Sequence, residues 1–598
     1  MRLSTERDRD ESAAPAVVHA ALDAGATLLD TADAYCLDDT EVGHNERLVA
    51  RALSTWRGDR SRVRVATKGG LTRPNGDWVP NGRGRHLAAA CEASRRALGV
   101  ERIDLYQLHA PDPRTPFSTS IRALASLQRD GLINRIGLCN VTVGQIEDAR
   151  SLVEIASVQV EVNVWNDDNL LGGVVGYCLA NGIQVLAHRP LGGTARIRRT
   201  TKDPMLIDLA KRHGVQPGDI ALAWLMDLSD LIVPIPGPTR LETASSLGRP
   251  PAVRFTDEDR ARLDERFPAG RIARPSGAPR AKAARTDGEI VLIMGLPAAG
   301  KSTAARKLVE GGYSRVNRDE SGGSLRALLP KVERLIESGH TRIVLDNTYA
   351  SRKSRGAVLQ AAELERLPVR CVWLTTSLED AQVNAASRMI AKFGRLLDPE
   401  EIRRTVKHDV SAFGPGVLFR YQRELEPPHP SEGFSRIDAI PFERARDASF
   451  TNRALIVWCD GVVARIGAAA NEVEVLEGRT EALRRYHAGG WRVLGLGWQP
   501  GISAEVVTRD QVDAAYARMN AELGIPIDVL YCPHGAGPPV CWCRKPLPGL
   551  GVVFVDRYRL DPSQCLFVGA GPQDPGFARR LGFQYRDAAE FFATGTGG

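Results

Sequence analysis

The chain has no run of about 18 apolar residues, so no stretch of it is expected to cross a membrane as a helix. Its first residues, MRLSTERDRDES, are charged from the start and lack the apolar stretch that a secretory signal needs, which points to a cytoplasmic location. No internal repeat or low-complexity tract is evident, and this sets aside repeat architectures. Cysteine is sparse, ten in 598 residues and mostly scattered, which argues against a disulfide scaffold. The only tight cluster, Cys532, Cys541 and Cys543, encloses a histidine and points to metal instead. Hydrophobic residues (43%) and charged residues (25%) are present in globular proportions. At 65.0 kDa the chain exceeds what one core supports, so three or four domains are expected. The net charge of +7 permits a polyanionic partner without demonstrating one.

From residue 14 to about 250, helical patterns alternate with short apolar runs: LLDTADAY, VRVATKGG, DLYQLHA, INRIGLCN, SVQVEVN, IQVLAHRP and LIVPIPG. Each run ends in polar or Gly/Pro residues, and repeated strand-helix units with chemistry at the strand ends describe an α/β chain folded as a (β/α)8 barrel, of which seven strands are counted. Residues 271–288, RIARPSGAPRAKAARTDG, are basic, Pro-rich and without hydrophobic period, which marks a linker, read as a solvated tether with an arm that contacts nucleic acid as the rival reading. A second α/β domain is expected over 289–445 and a third over 446–598, each opening on an apolar strand, EIVLIM and ALIVW.

Four polar residues stand at or just after successive strand ends of the first region: Asp30, Tyr35, Lys68 and His109. Singly, an Asp in such a place is usually a turn or cap and a His a satisfied core residue; together on one catalytic face they are hard to dismiss. Residues 1–270 thereby resemble the aldo-keto reductase family, whose catalytic tetrad these positions match. The resemblance implies reduction of a small aldehyde or ketone by NADPH. A phenol needs a neighbouring cation to act as a proton donor and be recharged, so Lys68 would tune Tyr35, Asp30 would hold Lys68, and His109 would orient the carbonyl. The family's cofactor contacts carry over to Asn140 (after Cys139, where serine is usual), Gln159, His188 in HRPLGG, and Thr239 with Arg240, the last favouring a 2′-phosphate. The family's glycine-containing first strand has no counterpart ahead of Arg2–Thr5; either the start lies upstream of Met1 or the barrel has seven strands with exposed edges.

The stretch 290-IVLIMGLPAAGKST-303 matches G-x-x-x-x-G-K-[ST] between a strand and a helix. Backbone N–H groups from Gly295 to Lys301, Gly300 among them, would cradle the phosphates of ATP, Lys301 would reach the terminal ones, and Ser302, followed by Thr303, would hold Mg²⁺. With 316-VNRDESGGSLRALL-329, 344-VLDNTY-349, 369-VRCVWLTTSLEDAQVNAASRM-389 and 417–442, the region resembles the kinase domain of polynucleotide kinase-phosphatases. That implies Asp319 as the base for a 5′-hydroxyl of a nucleic acid, Arg326 as a contact to the acceptor phosphate, and Arg388 as a lid arginine on the transferred group.

Residues 453–598 resemble the haloacid dehalogenase superfamily, whose first strand ends D-x-D-G-T. In 454-ALIVWCDGVV-463, Asp460 takes the acid/base position and Trp458 the nucleophile's. An indole has no lone pair to attack phosphorus, so hydrolysis by that route is excluded. Gly497 replaces the second-motif Thr or Ser, and 568-VGA-570 replaces an acidic loop, while Lys545 and Asp574 remain. In 532-CPHGAGPPVCWC-543, Cys532, His534, Cys541 and Cys543 offer three thiolates and one imidazole, a closed set of the kind that holds structural Zn²⁺. The combined expectation is a 5′-hydroxyl polynucleotide kinase joined to an NADPH-dependent reductase and a pseudophosphatase. The rivals are a metabolic reductase and small-molecule kinase, or one active kinase between interaction modules.

Overall fold

A computed structural model describes residues 2–274, 287–409, 411–445, 447–467, 470–537 and 540–593. Most of the expected tether 271–288 lies outside these. The described residues up to 274, with Ser351–Arg366, form one compact unit; those from 287 to 350 and from Leu367 onward form a second.

All seven expected strands of the first unit form, in one parallel sheet: β1 (Leu28–Asp30), β2 (Arg64–Gly69), β3 (Ile103–Leu108), β4 (Ile133–Cys139), β5 (Ser157–Glu161), β6 (Gln184–His188) and β7 (Ile232–Pro234). They pair strictly in chain order, each with the next, and among the described residues no ladder joins β7 back to β1. Parallel neighbours connected by helices must all point the same way, so every strand delivers its C-terminal end to one rim. Ile136, Leu138, Val158, Val185 and Ala187, on the face packed against the helices, are completely buried, while the alternate residues Gln107, Cys139 and Gln159 face inward toward Asp30. The segment Ser351–Arg366, expected within the second domain, packs in this unit through its helix Arg352–Leu364. Gly356 permits it: a Cβ there would lie 1.9 Å from the Leu171 carbonyl oxygen.

The second unit holds two five-stranded parallel sheets. One runs β9-β10-β8-β11-β12, where β8 is Glu289–Met294, β9 Ser314–Val316, β10 Arg342–Asp346, β11 Val369–Leu374 and β12 Arg436–Ile440. The other runs β15-β14-β13-β16-β17, with β13 Ala454–Trp458, β14 Arg492–Trp498, β15 Asp528–Cys532, β16 Leu566–Gly569 and β17 Gln584–Asp587. In each, the first strand in sequence is central, and Ile290–Met294 and Ala454–Val457 are buried outright because both faces are covered. The strand order reverses on either side of β8 and β13, which opens a crevice at their C-terminal ends. No helix among the described residues is long and apolar enough to cross a membrane.

Candidate functional site

Because the strand ends converge, Asp30, Lys68 and His109, separated widely in sequence, meet on one rim with Tyr35 from the loop after β1. The Lys68 ammonium is completely buried and has three N–H donors. Each finds an acceptor: Asp30 Oδ2 at 2.6 Å, the Thr31 carbonyl at 2.9 Å and Tyr35 Oη at 3.0 Å. Burial opposes the lysine's charge, but Asp30, with smaller help from Tyr35 and Cys139, outweighs it and holds its pKa above the ordinary value. Asp30 is shared: its other oxygen accepts from Gln159 Nε2 at 2.9 Å and Gln107 Nε2 at 3.2 Å. Burial pushes the Tyr35 phenol up to about 12, against the pull of Lys68. The lysine's effect on the phenol is therefore real but smaller than desolvation, and Tyr35 keeps its proton at neutral pH.

His109 stands edge-on to Tyr35, ring centroids 5.6 Å apart, and burial first, then Lys68, depresses its pKa well below the usual range, so its ring is neutral. Asn140 adopts a left-handed φ of 57°, which asparagine tolerates, and its amide donates to the His109 carbonyl at 3.1 Å. His188 Nε2 lies 3.4 Å from Asn140 Oδ1, and burial lowers its pKa to about 4. Asn140, Gln159 and His188 thus share the rim with the tetrad. Thr239 and Arg240 follow β7 at the start of the helix Leu241–Ser245, where Arg240 is exposed. Two participants escaped the sequence reading. Gln107 lies inside DLYQLHA but looks like any polar strand residue. Trp78, in the loop after β2, contacts Tyr35 and His109 edge-on at 6.3 and 6.2 Å while the Arg73 guanidinium stacks 3.8 Å above it. An aromatic in a βα loop was the available signal.

In the second unit, β8 runs into a loop with positive φ at Gly295 (151°), Ala298 (61°) and Gly300 (93°), which aims the chain into the helix α1 (Lys301–Glu310). A Cβ at Gly295 would press on the Leu374 carbonyl at 3.0 Å, so glycine is required there. Lys301 Nζ donates to the carbonyls of Gly295 (3.1 Å) and Leu296 (2.7 Å), and burial draws its pKa down to about 8 despite Asp346. Ser302 and Thr303 are exposed in the first turn of α1. Asp346, fully buried at the end of β10 and paired with Arg315, was not singled out from VLDNTY. Two further residues hold the loop from a distance: Asn384 donates to the Ala298 carbonyl at 3.0 Å and Thr376 to that of Ala299 at 3.1 Å. Asn317, not Asp319, caps the short helix Arg318–Ser321, accepting from the Asp319 N–H at 2.6 Å, and the Asp319 carboxylate stays half-exposed. Arg326 opens a 3-10 turn, and Arg388 lies on the helix α2 (Leu378–Phe393), its guanidinium 3.4 Å from the Ser411 carbonyl.

At the end of β13 the Trp458 ring lies under the Lys545 ammonium, 3.2 Å from its centroid, and Lys545 pairs with Asp574. Asp460 accepts from the Trp498 N–H (2.7 Å), Tyr516 Oη (2.8 Å) and Gln499 Nε2 (2.9 Å), so most of its acceptor sites are taken by protein donors. Burial raises its pKa. The ligand atoms of Cys532, His534, Cys541 and Cys543 all lie within 4.8 Å of one another. Four of their six spacings, 3.2 to 3.7 Å, come close to the edge of a tetrahedron around zinc, about 3.8 Å for a Zn–S bond of about 2.3 Å. The donor set fits that ion.

Residues 1–266 match the model of the aldo/keto reductase family, and residues 290–396 match that of an AAA domain. An uncharacterized oxidoreductase of Schizosaccharomyces pombe is 32% identical over 262 residues, 44% of this chain and 81% of that protein. A probable aldo-keto reductase of Glycine max is 28% identical over 43% of this chain and 80% of its own length. Among solved structures, a glycerol dehydrogenase of Gluconobacter oxydans is 26% identical over 46% of this chain and 90% of its own, with a TM-score of 0.39. Through its first 266 residues the chain belongs to the aldo/keto reductase family.

Proposed function

We propose that the protein is a bifunctional enzyme: an NADPH-dependent reductase of a small aldehyde or ketone, joined to a P-loop kinase that phosphorylates 5′-hydroxyl ends of nucleic acid. The observation that carries the first activity is the saturated Lys68, whose three donors bind Asp30, the Thr31 carbonyl and Tyr35 at once. As a carbonyl is reduced its oxygen gains charge, and Tyr35 supplies a proton to it. The phenolate left behind sits 3.0 Å from a buried ammonium, which lowers the cost of forming it. Neutral His109 orients the carbonyl oxygen through its single N–H. Asn140, Gln159, His188, Thr239 and Arg240 would hold NADPH, which supplies the hydride when bound; the first three converge on the tetrad's rim.

The kinase reading rests on the loop and its clamps. Gly295, Gly300, Lys301, Ser302 and Thr303 would hold ATP, and Ser302 with Asp346 would hold Mg²⁺. Asp319, free of the capping role, is the base for the acceptor hydroxyl, with Arg326 on the acceptor phosphate and Arg388 on the transferred group. The C-terminal sheet, haloacid dehalogenase-like by its strand order and motifs, is a non-hydrolytic scaffold with Zn²⁺ on Cys532, His534, Cys541 and Cys543. Two assays test the proposal. NADPH oxidation with small aldehydes should stop in Tyr35→Phe without loss of phosphoryl transfer. Radiolabel should pass from ATP to 5′-hydroxyl DNA or RNA and fail to do so in Lys301→Ala and Asp319→Ala; transfer to small alcohols alone would replace the nucleic-acid acceptor by a metabolic one.

A further inference from the structure

Between two of the clustered cysteines stands Trp542, and it points away from them. Its side chain is 1% exposed and belongs to the core of the P-loop sheet, not of its own. There the indole Nε1–H donates to the Phe413 carbonyl at 2.9 Å, and the two rings meet edge-on, centroids 6.1 Å apart. Phe413 in turn lies under the Arg388 guanidinium, 5.5 Å from it, and the carbonyl of Ser411, two residues earlier, takes the Arg388 Nη2 contact at 3.4 Å. The Trp542 backbone is fixed as well: its carbonyl accepts from the Gly549 N–H at 3.1 Å, an approach so close that a Cβ on Gly549 would sit 2.5 Å from that oxygen. The helix α2 that bears Arg388 also contributes Val383, Ala386 and Ile390 to a core shared with Leu550, Val552, Phe554 and Leu581 of the C-terminal sheet.

We propose that Trp542 is a positioning residue for Arg388, so that the Cys/His cluster of the degenerate domain sets the geometry of phosphoryl transfer through the Ser411–Phe413 segment. This rests on the kinase reading of Arg388. The physical reason is economy of order: an arginine that must meet a charge developing in the transition state is useful only if held, and Arg388 is held by one carbonyl and one ring; the ring, Phe413, is seated on Trp542, and the carbonyl belongs to Ser411, two residues before it, whose amide and hydroxyl donate to Asp409. Cys541 and Cys543, tied to a common ion, would fix the backbone on both sides of the indole. Such a device gives the non-hydrolytic domain a reason to be retained, since removing it would remove the seat of the arginine.

Two readouts decide it. Trp542→Phe keeps a ring against Phe413 and removes the N–H donor; Trp542→Ala removes both. In steady-state transfer from ATP to a 5′-hydroxyl oligonucleotide, Trp542→Phe should lower kcat about tenfold and Trp542→Ala up to about 10²-fold, the scale of a 1 Å misplacement, with KM for ATP within about twofold. In an Arg388→Ala background Trp542→Phe should change kcat by less than about twofold; a full tenfold loss there would show independent action and overturn the proposal. Amide exchange needs no turnover. Peptides covering 411–418 should exchange faster in Trp542→Phe and in chelator-treated protein than in the untreated protein, and unchanged exchange in both would overturn it as well. A parent protein that transfers no phosphate to any acceptor, yet shows the exchange difference, would overturn only the kinase reading.

Discussion

Asp30→Asn isolates the electrostatic centre of the reductase site. The carboxylate accepts on both oxygens, from Lys68 on one and from Gln107 and Gln159 on the other. An amide offers one acceptor and one donor, so it can serve the lysine or the glutamines but leaves donor facing donor on the other side. At 2.6 Å, with an effective dielectric of about 20, the lost Coulomb attraction is about 6 kcal/mol. The Thr31 carbonyl and Tyr35 Oη remain as acceptors, which brings the expected cost to the range for breaking a buried pair, about 3–5 kcal/mol. Part of this destabilises the fold and part falls on the Lys68 ammonium, whose charge supports the Tyr35 phenolate and which Asp30, though itself unfavourable to that phenolate, keeps protonated. If about 3 kcal/mol falls on the transition state, kcat/KM drops about 10²-fold. The pH profile carries the sharper signature. In the parent protein Tyr35 and Lys68 titrate high and His188 and His109 low, so the profile should be flat from about pH 6 to 9. In Asp30→Asn the lysine loses its counter-charge and deprotonates as pH rises, so activity should fall toward pH 9. The assay is NADPH oxidation with a small aldehyde, with urea unfolding run in parallel. A variant with a flat profile and kcat/KM within threefold of the parent would refute the role assigned to the Asp30–Lys68 pair.

Three further outcomes are expected. His188 has a folded pKa of about 4 against 6.5 unfolded, so its contribution to stability is full above pH 6.5 and lost as pH falls through 4; discounted for partial exposure this is about 2 kcal/mol, with His109 acting in the same direction, and urea midpoints at pH 7 and 4.5 should converge in His188→Gln. Purified protein should carry about one zinc per chain by elemental analysis, Cys541→Ser should carry little, and chelation should lower the melting temperature. Trp458→Asp should not release phosphate from p-nitrophenyl phosphate with Mg²⁺, because Asp460 already accepts from three protein donors and Lys545 is paired with Asp574; release that disappears again in Asp460→Asn would show a phosphatase site intact but for one residue.

What the sequence determined by itself was everything carried by short range or by strand direction. Asp30, Lys68 and His109 each follow an apolar run, and parallel strands cannot help bringing such ends to one rim. The phosphate loop is contiguous, and its glycines answer to backbone angles set within six residues. Cys532, His534, Cys541 and Cys543 lie within twelve residues, so their convergence required only a turn. What tertiary structure alone decided were the contacts made across elements. Asn384 and Thr376 reach the phosphate loop from 86 and 77 residues away, and no local period marks them. Asp460 stands just past the end of β13 as its sequence places it, yet packing against Tyr516, Gln499 and the Trp498 amide occupies most of its acceptor sites. The Tyr35 phenol was expected to be tuned by its lysine, but the net direction is set by burial, which depends on the whole wall around it. Trp542 is the plainest case: its neighbours in sequence are two clustered cysteines, and its neighbours in space belong to another sheet. Side-chain direction at such a position is fixed by which core has room for an indole, a property of the assembled fold and not of any stretch of the chain.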